Sequence, residues 1–520
     1  MIQMETLRLK CSAKNVPHKM FRLNMSRLNL SRLNLFLALA CAPLAQADVR
    51  LPALISDHMM LQRQMPVRIW GWADPGEAVR VTFQQQTAET TASANGKWQA
   101  FLKPLAAGAA ADLTVAGKNT LTVHDVLVGE VWVSSGQSNM EFPMSRTNHA
   151  EQEIAAANHP NLRFFLVKKA VADQPAEDVH GAWVLSSPET IPPQSAVAYF
   201  FAREISEKQG IPVAVINSYW GGTPAQSWTT LATMQGDPAL KFIMDDWQVA
   251  LERSPQAQEK YAAALAKWKE TKTGNAPGKP VGPGHQNTPA GLYNAMIAPL
   301  TPYAIRGAIW YQGESNASPT HAYAYRRLFS DMIEDWRHAW GEGPFPFYFV
   351  QLANYSTNGW WPVLRESQTE ALELKNTAMA VAIDVGNPKD IHPTDKQTVG
   401  HRLALPARAL VYGENIVYSG PVFRQMTVEA GQARVWFDSI GAGLATRGDG
   451  DPSGFEVAGA DGAFVPAVAT IDGATVLVSN PMVKQPTQVR YAWADNPTAN
   501  LINKDGLPAS PFRNLPSREK

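Results

Sequence analysis

Between residues 128 and 412, short apolar runs alternate with longer amphipathic ones, and few folds accept that rhythm. "GEVWVS", "LRFFLV", "PVAVINS", "GAIWYQ", "FYFVQL" and "AMAVAID" read as strands buried on both faces. "AVAYFFAREISEKQG" and "AYAYRRLFSDMIEDWRHAW" read as helices between strands. Strands separated by helices pair in parallel, because a parallel partner needs a long crossover. The expectation is an α/β fold: an α/β/α sandwich around a parallel sheet. The flanks change period. Residues 48–127 carry short runs such as "PVRIWGWA" and "KWQAFL" between the turns "DPGE" and "ANGK". Residues 413–520 return to the same β pattern with "ARVWFDS" and "ATVLVSN". Both flanks read as β-sandwich or jelly-roll-like regions. Residues 229–289 interrupt the core as a charged helical insertion ending in "GNAPGKPVGPGHQNTP", which reads as a surface addition or a wall of a binding site.

In an open parallel sheet, ligands bind beyond the carboxyl ends of the strands. Four strand ends here run into glycine and polar residues: Gly136-Gln137-Ser138-Asn139, Gly221-Gly222-Thr223, Gln312-Gly313-Glu314 and Asp390-Ile391-His392. Together they hold the parts of an acyl-transfer site. A serine hydroxyl needs a base, histidine can supply it, and a carboxylate steadies the imidazolium. Glycine amides and a side-chain amide can donate to an oxyanion. Each cluster alone reads as a turn or a cap. No G-x-S-x-G surrounds Ser138, so this is not a nucleophile elbow.

"GEVWVSSGQSNMEFPM", "INSYWGGTPAQSW", "LYNAMIAPL", "IRGAIWYQGESNA" and "DIHPTDKQTVGHRLA" resemble the sialate O-acetylesterase family, carbohydrate esterases of the SGNH hydrolase superfamily. The resemblance spans nearly all of residues 48–415. It implies an SGNH-type core over 128–412, Ser138 as nucleophile and His392 as base. It further implies an oxyanion hole from the amides of Ser138 and Gly222 with the Gln312 side chain, Gln312 standing where many such enzymes carry asparagine. Gly221 competes with Gly222. The acid commonly stands three residues before the histidine, where this chain has Lys389; Asp390 is the first candidate, with Asp384 and Asp395 as competitors. Asn139, Glu314, Trp220 and Trp360 are candidates for contacting the sugar. Glu314 could instead orient the Gln312 loop, cap a helix or pair with Arg306. A sialate would need a cation, for which Arg146, Arg306 and Arg365 compete. A neutral plant glycan such as xylan or xyloglucan would use exposed rings, for which Trp220, Trp228, Trp360 and Trp361 compete. "YSTNGWWP" favours the latter.

Composition narrows the partners. Hydrophobic residues make up 45% and formal net charge is zero, which argues for a globular chain and against nucleic acid or a charged membrane surface. Residues 1–47 end in "SRLNLSRLNLFLALACAPLAQA", a signal peptide cleaved after Ala47, which predicts a periplasmic or secreted protein. Both cysteines, Cys11 and Cys41, lie inside it, so cysteine nucleophiles, thiolate zinc sites and disulfides drop out. No zinc spacing, phosphate loop or dinucleotide fingerprint appears, and the expected chemistry needs no cofactor. The expected partner is an acetylated oligo- or polysaccharide. Competing readings are a sugar-binding protein with a degenerate esterase core, a glycosidase using Glu314 and Asp390, and a lipase or peptidase on the same core.

Overall fold

One strand carries most of the architecture. β1 (Thr120–Gly136) runs for 17 residues and changes partners partway along. Its first half pairs antiparallel with Gly108–Ala116 of the N-terminal flank. Its second half pairs in parallel on both sides, with β4 (Val213–Tyr219) and β5 (Gly307–Tyr311). Burial follows the pairing. Exposed and half-exposed residues recur up to Asp125, and every residue from Val126 to Gly136 is buried. A half-solvated antiparallel segment tolerates polar residues on one face, whereas a central parallel strand is covered on both. The boundary expected at 127/128 therefore falls inside a continuous strand. The computed structural model describes residues 48–357 and 359–514; the expected signal peptide, with Cys11 and Cys41, lies outside them.

The remaining strands of the core are β2 (His159–Leu166), β3 (Trp183–Ser186), β6 (Phe347–Gln351) and β7 (Thr377–Val381), in the sheet order β7-β6-β5-β1-β4-β2-β3. All pairs along it are parallel except the edge pair of β2 with β3. The short helix α1 (Ser138–Glu141) follows β1, and α2 (Ala196–Gln209) precedes β4. The insertion forms α3 (Lys241–Thr271); α4 (Pro319–Trp340) links β5 to β6, α5 (Trp361–Glu370) links β6 to β7, and α6 (Lys396–Pro406) follows β7.

Register places these helices on opposite faces. Gly307 of β5 stands beside Trp132 of β1, so Trp310, three residues on, points the other way. Trp132 meets Phe201 of α2, with ring centroids 5.0 Å apart. Trp310 stacks on Phe329 and meets Trp336, both of α4. The helices α2 and α6 approach closely where Gly400 lies against Phe200; a Cβ at Gly400 would sit 2.6 Å from that of Phe200. The expected α/β/α sandwich is thus present.

The C-terminal flank forms separate antiparallel sheets, as its period-two pattern requires. Strands Val422–Glu429, Gln432–Asp438, Val468–Asp472 and Thr475–Ser479 make one; Phe455–Ala458, Val465–Pro466, Gln488–Tyr491 and Phe512–Arg513 make another. Phe512 joins them, stacking on Phe423 at 4.4 Å and touching Phe437 and Phe455. Within the insertion, α3 is long and mostly solvated, with Ile243 and Ser254 its buried residues. Among the described residues, no helix is long and apolar enough to cross a membrane.

Candidate active site

The turn after β1 needs glycine. Gly136 has φ +135°, and a Cβ there would lie 2.2 Å from the carbonyl oxygen of Tyr311. The chain then turns into α1 with Ser138 as its first residue. Gln137 anchors the turn: its N–H donates to Tyr311 O (3.0 Å) and its Oε1 accepts from Ser315 N (3.2 Å).

The loop after β4 packs straight against the serine. A Cβ on Gly221 would stand 3.3 Å from Ser138 Cβ. The Gly221 N–H already donates to Glu141 Oε2 (2.7 Å), and Gly221 O accepts from Gln286 Nε2 (3.0 Å). Gly222, at φ +74°, is the other amide of the loop. Glu141 also pairs with Lys169, whose Nζ lies 5.6 Å over the Trp220 ring.

His392 reaches the same place from the loop after β7. Ser138 and His392 both line a cleft of about 1070 Å³, together with Phe142, Arg146, Lys168, Lys169, His180 and Tyr219. Asp390 Oδ1 accepts from the backbone N–H of His392 (2.9 Å) and stands 3.6 Å from the ring Nδ1. The competing acids are engaged elsewhere. Asp384 takes a fork from Arg402 (2.5 and 2.8 Å) and pairs with Arg447, which holds its carboxyl below the usual range. Asp395 caps α6 through Thr398 N (3.0 Å) and Thr398 Oγ1 (2.8 Å).

Partial burial pushes the imidazole of His392 below the ordinary histidine value. The charge of Asp390 opposes this, and those of Lys396 and Arg146 add to it. A base works in its neutral form, so activity should rise with pH through the His392 transition. The expected kcat/KM profile has its acid-limb midpoint below the ordinary 6.5, read from initial rates across pH.

Two expected contacts turn inward. Gln312 is fully buried; its Nε2 donates to Thr223 O (3.2 Å) and Asn316 Oδ1 (2.8 Å), and its Oε1 accepts from Tyr325 Oη (2.9 Å). Both amide hydrogens are taken, so the expected oxyanion donor is instead a brace under the loop that follows Gly222. A buried amide must satisfy all its groups, and this one does so inside the fold. Asn139 is 1% exposed and bonds only to the protein's own groups, so it is no sugar contact.

Glu314 has its carboxylate enclosed. Oε1 accepts from Asn139 (2.6 Å), Oε2 is buried without a partner, and burial pushes the carboxyl upward. Neither Glu314 nor Asp390 lines the cleft, so the two are not placed as a glycosidase pair. Trp220 is half-buried beside the glycine loop and Trp360 packs edge-on against Tyr323 of α4; neither is among the residues that line the cleft. Trp228 and Trp361 are core residues. Arg306 is held by Glu130, and Arg365 is fully buried on four backbone carbonyls. Of the three candidate cations, Arg146 alone lines the cleft, with its guanidinium 4.9 Å over the Phe142 ring.

Sequence reasoning missed Lys168, Lys169, Glu141 and Lys396. The two neighbouring lysines follow β2 directly, so the strand-end rule that found Ser138 finds them too.

A solved relative places this chain among the carbohydrate esterases. A carbohydrate acetylesterase from Xanthomonas citri is 41% identical and superposes with a TM-score of 0.78, covering 90% of this chain and 99% of that one. The chain belongs to the family described as carbohydrate esterase, sialic acid-specific acetylesterase, which matches residues 128–408. The sialate O-acetylesterase of Mus musculus is 32% identical over 73% of this chain and 77% of its own length. That of Homo sapiens is 31% identical over 72% and 73%. The chain is accordingly an acetylesterase of the hydrolase class.

Proposed function

We propose that the chain removes O-acetyl groups from an acidic sugar through an acetyl-serine intermediate. The carrying observation is that Ser138 and His392 line one cleft while the Gly221-Gly222 loop packs against the serine. His392 takes the Ser138 proton as Oγ attacks the acetyl carbonyl, and Asp390 steadies the imidazolium. The oxyanion rests on the amides of Ser138 and Gly222, since Gly221 is held by Glu141 and Gln312 by the interior. The imidazolium protonates the leaving sugar oxygen. Water activated by His392 then attacks the acetyl-serine and releases acetate.

The sugar reading rests on the cleft wall. Arg146 and Lys168 stand where a sugar carboxylate can meet them, while two of the four candidate rings are buried in the core. This favours an O-acetylated sialic acid over the neutral xylan or xyloglucan. The half-buried Trp220, whose ring lies under the cleft-lining Lys169, is the feature that speaks for a neutral glycan. With the "PLAQA" leader, the site of action is the periplasm or the exterior.

The test is acetate release from 9-O-acetyl sialic acid, acetylated xylan and acetylated xyloglucan, by the parent and by Arg146→Ala. The expected result is preference for the sialic acid. Arg146→Ala should raise its KM about tenfold or more, as loss of a charge-assisted hydrogen bond costs about 1.5–3 kcal/mol. Equal KM in both proteins, with xylan preferred, would reject the acidic-sugar reading and leave the esterase standing.

A further inference from the structure

Three strand-end loops meet in an enclosed knot beneath the cleft. Its centre is the side chain of Asn139, next in chain to Ser138. Asn139 Nδ2 donates to Glu314 Oε1 (2.6 Å) and to the carbonyl of Ile391 (2.9 Å), the residue before His392. Its Oδ1 accepts from Lys396 Nζ (2.6 Å). Lys396 opens α6, shows no solvent exposure, and has its Nζ 4.8 Å from the Phe142 ring centroid and 5.1 Å from that of Tyr311.

The two ends of an asparagine amide are chemically distinct. An ammonium has donors and no acceptor, so Lys396 holds Oδ1 toward itself and Nδ2 toward the carboxylate and the carbonyl. An apolar residue at 396 would leave Oδ1 buried and unpaired, free to seek a partner by turning the amide. The tie between the nucleophile turn and the histidine loop would then loosen. A fully buried lysine is rare in proteins because its desolvation is costly.

We propose that Lys396 is a positioning residue for the reaction, acting on the catalytic pair through Asn139 and through its charge beside His392. The inference rests on the Ser138–His392 reading above. His392 is faced by Asp390 on its own loop, Lys396 from α6 and Arg146 from the segment after α1. Lys396 is faced by Glu314, Asp390 and Asp395, and burial brings its ammonium down to about 7. A positive neighbour favours the neutral imidazole.

Lys396→Met removes the charge and the donor at similar length. It also leaves Glu314 alone in the interior, so Lys396→Met with Glu314→Gln is the companion variant without either charge. In whichever variant keeps the parent's thermal midpoint, kcat on the acetylated sugar should fall about tenfold to a hundredfold with KM little changed, the scale of a misplaced catalytic group. The acid limb should move to higher pH. The His392 imidazole is also titrated directly by NMR in the Ser138→Ala background, where the same upward movement is expected without turnover. A folded variant whose imidazole titrates as in the parent overturns the proposal, whatever happens to kcat. A parent that releases no acetate counts against the esterase reading instead, and the imidazole titration still decides the role of Lys396.

Discussion

Ser138→Ala is expected to lower kcat for acetate release by on the order of 10⁵- to 10⁶-fold, with a stable fold and KM nearly unchanged. The hydroxyl removed is the atom that forms the acyl bond, so nothing nearby replaces it: Ser135 and Ser134 are buried in β1 and point into the sheet's own layers. His392→Ala should fall to about the same floor, because a serine without its base is as weak a nucleophile as none. The double variant should then be no worse than either single one. Burst kinetics on an activated acetate ester give the check: the parent should show a burst equal to its enzyme concentration, and Ser138→Ala none. If the single losses multiply in the double variant, the two side chains do not work as one unit and another nucleophile must be sought.

Glu130→Ala should cost about 3–5 kcal/mol of stability without touching the cleft. Glu130 is fully buried on β1. Its carboxylate accepts from Arg63 of the N-terminal flank, from Arg306 before β5 (2.6 and 3.3 Å), and from Gln62 (3.1 Å). Both guanidiniums are about four-fifths covered, so removing the carboxylate leaves two facing cations in a region of low dielectric. Removing one member of such a cluster is worse than replacing the whole cluster with apolar residues. The midpoint of urea unfolding should drop sharply while kcat of the folded fraction stays at the parent's value. A midpoint that moves no further than that of an ordinary surface variant would show that the cluster contributes little.

Much of the site was legible because it rests on position along strands. Ser138, the Gly221-Gly222 pair and His392 each follow an apolar run, and parallel strands deliver their ends to one rim. Orientation was not legible. Gln312 and Asn139 stand at the right strand ends, yet their amides face inward, where Asn316 and Lys396 satisfy them. Position in sequence says nothing about which way a freely rotating amide points. Lys396 was hidden for a related reason: a lysine opening a helix after an aspartate cap reads as solvated, and only the rings of Phe142 and Tyr311 show that it is not. The tryptophans divide by the same blindness, Trp228 falling in the core and Trp220 left half-buried beside the glycine loop. The flanks were legible as β from their period, but their join to the core was not, since β1 shows no break in its apolar pattern at residue 127.

That join bears on heredity and on fragment design. A flank linked by a loose tether can be shed, exchanged or duplicated by recombination without harming its neighbour. Here the flank and the nucleophile share one strand, and Arg63 reaches from the flank to a carboxylate at its middle. Any lineage that replaced residues 48–119 would have to rebuild the partners of the first half of β1 at the same time, and any expression fragment begun at residue 128 would present a cut strand end stripped of its flank partners. What looks in the sequence like an accessory region therefore shares a strand with the nucleophile turn, and must be cloned with it.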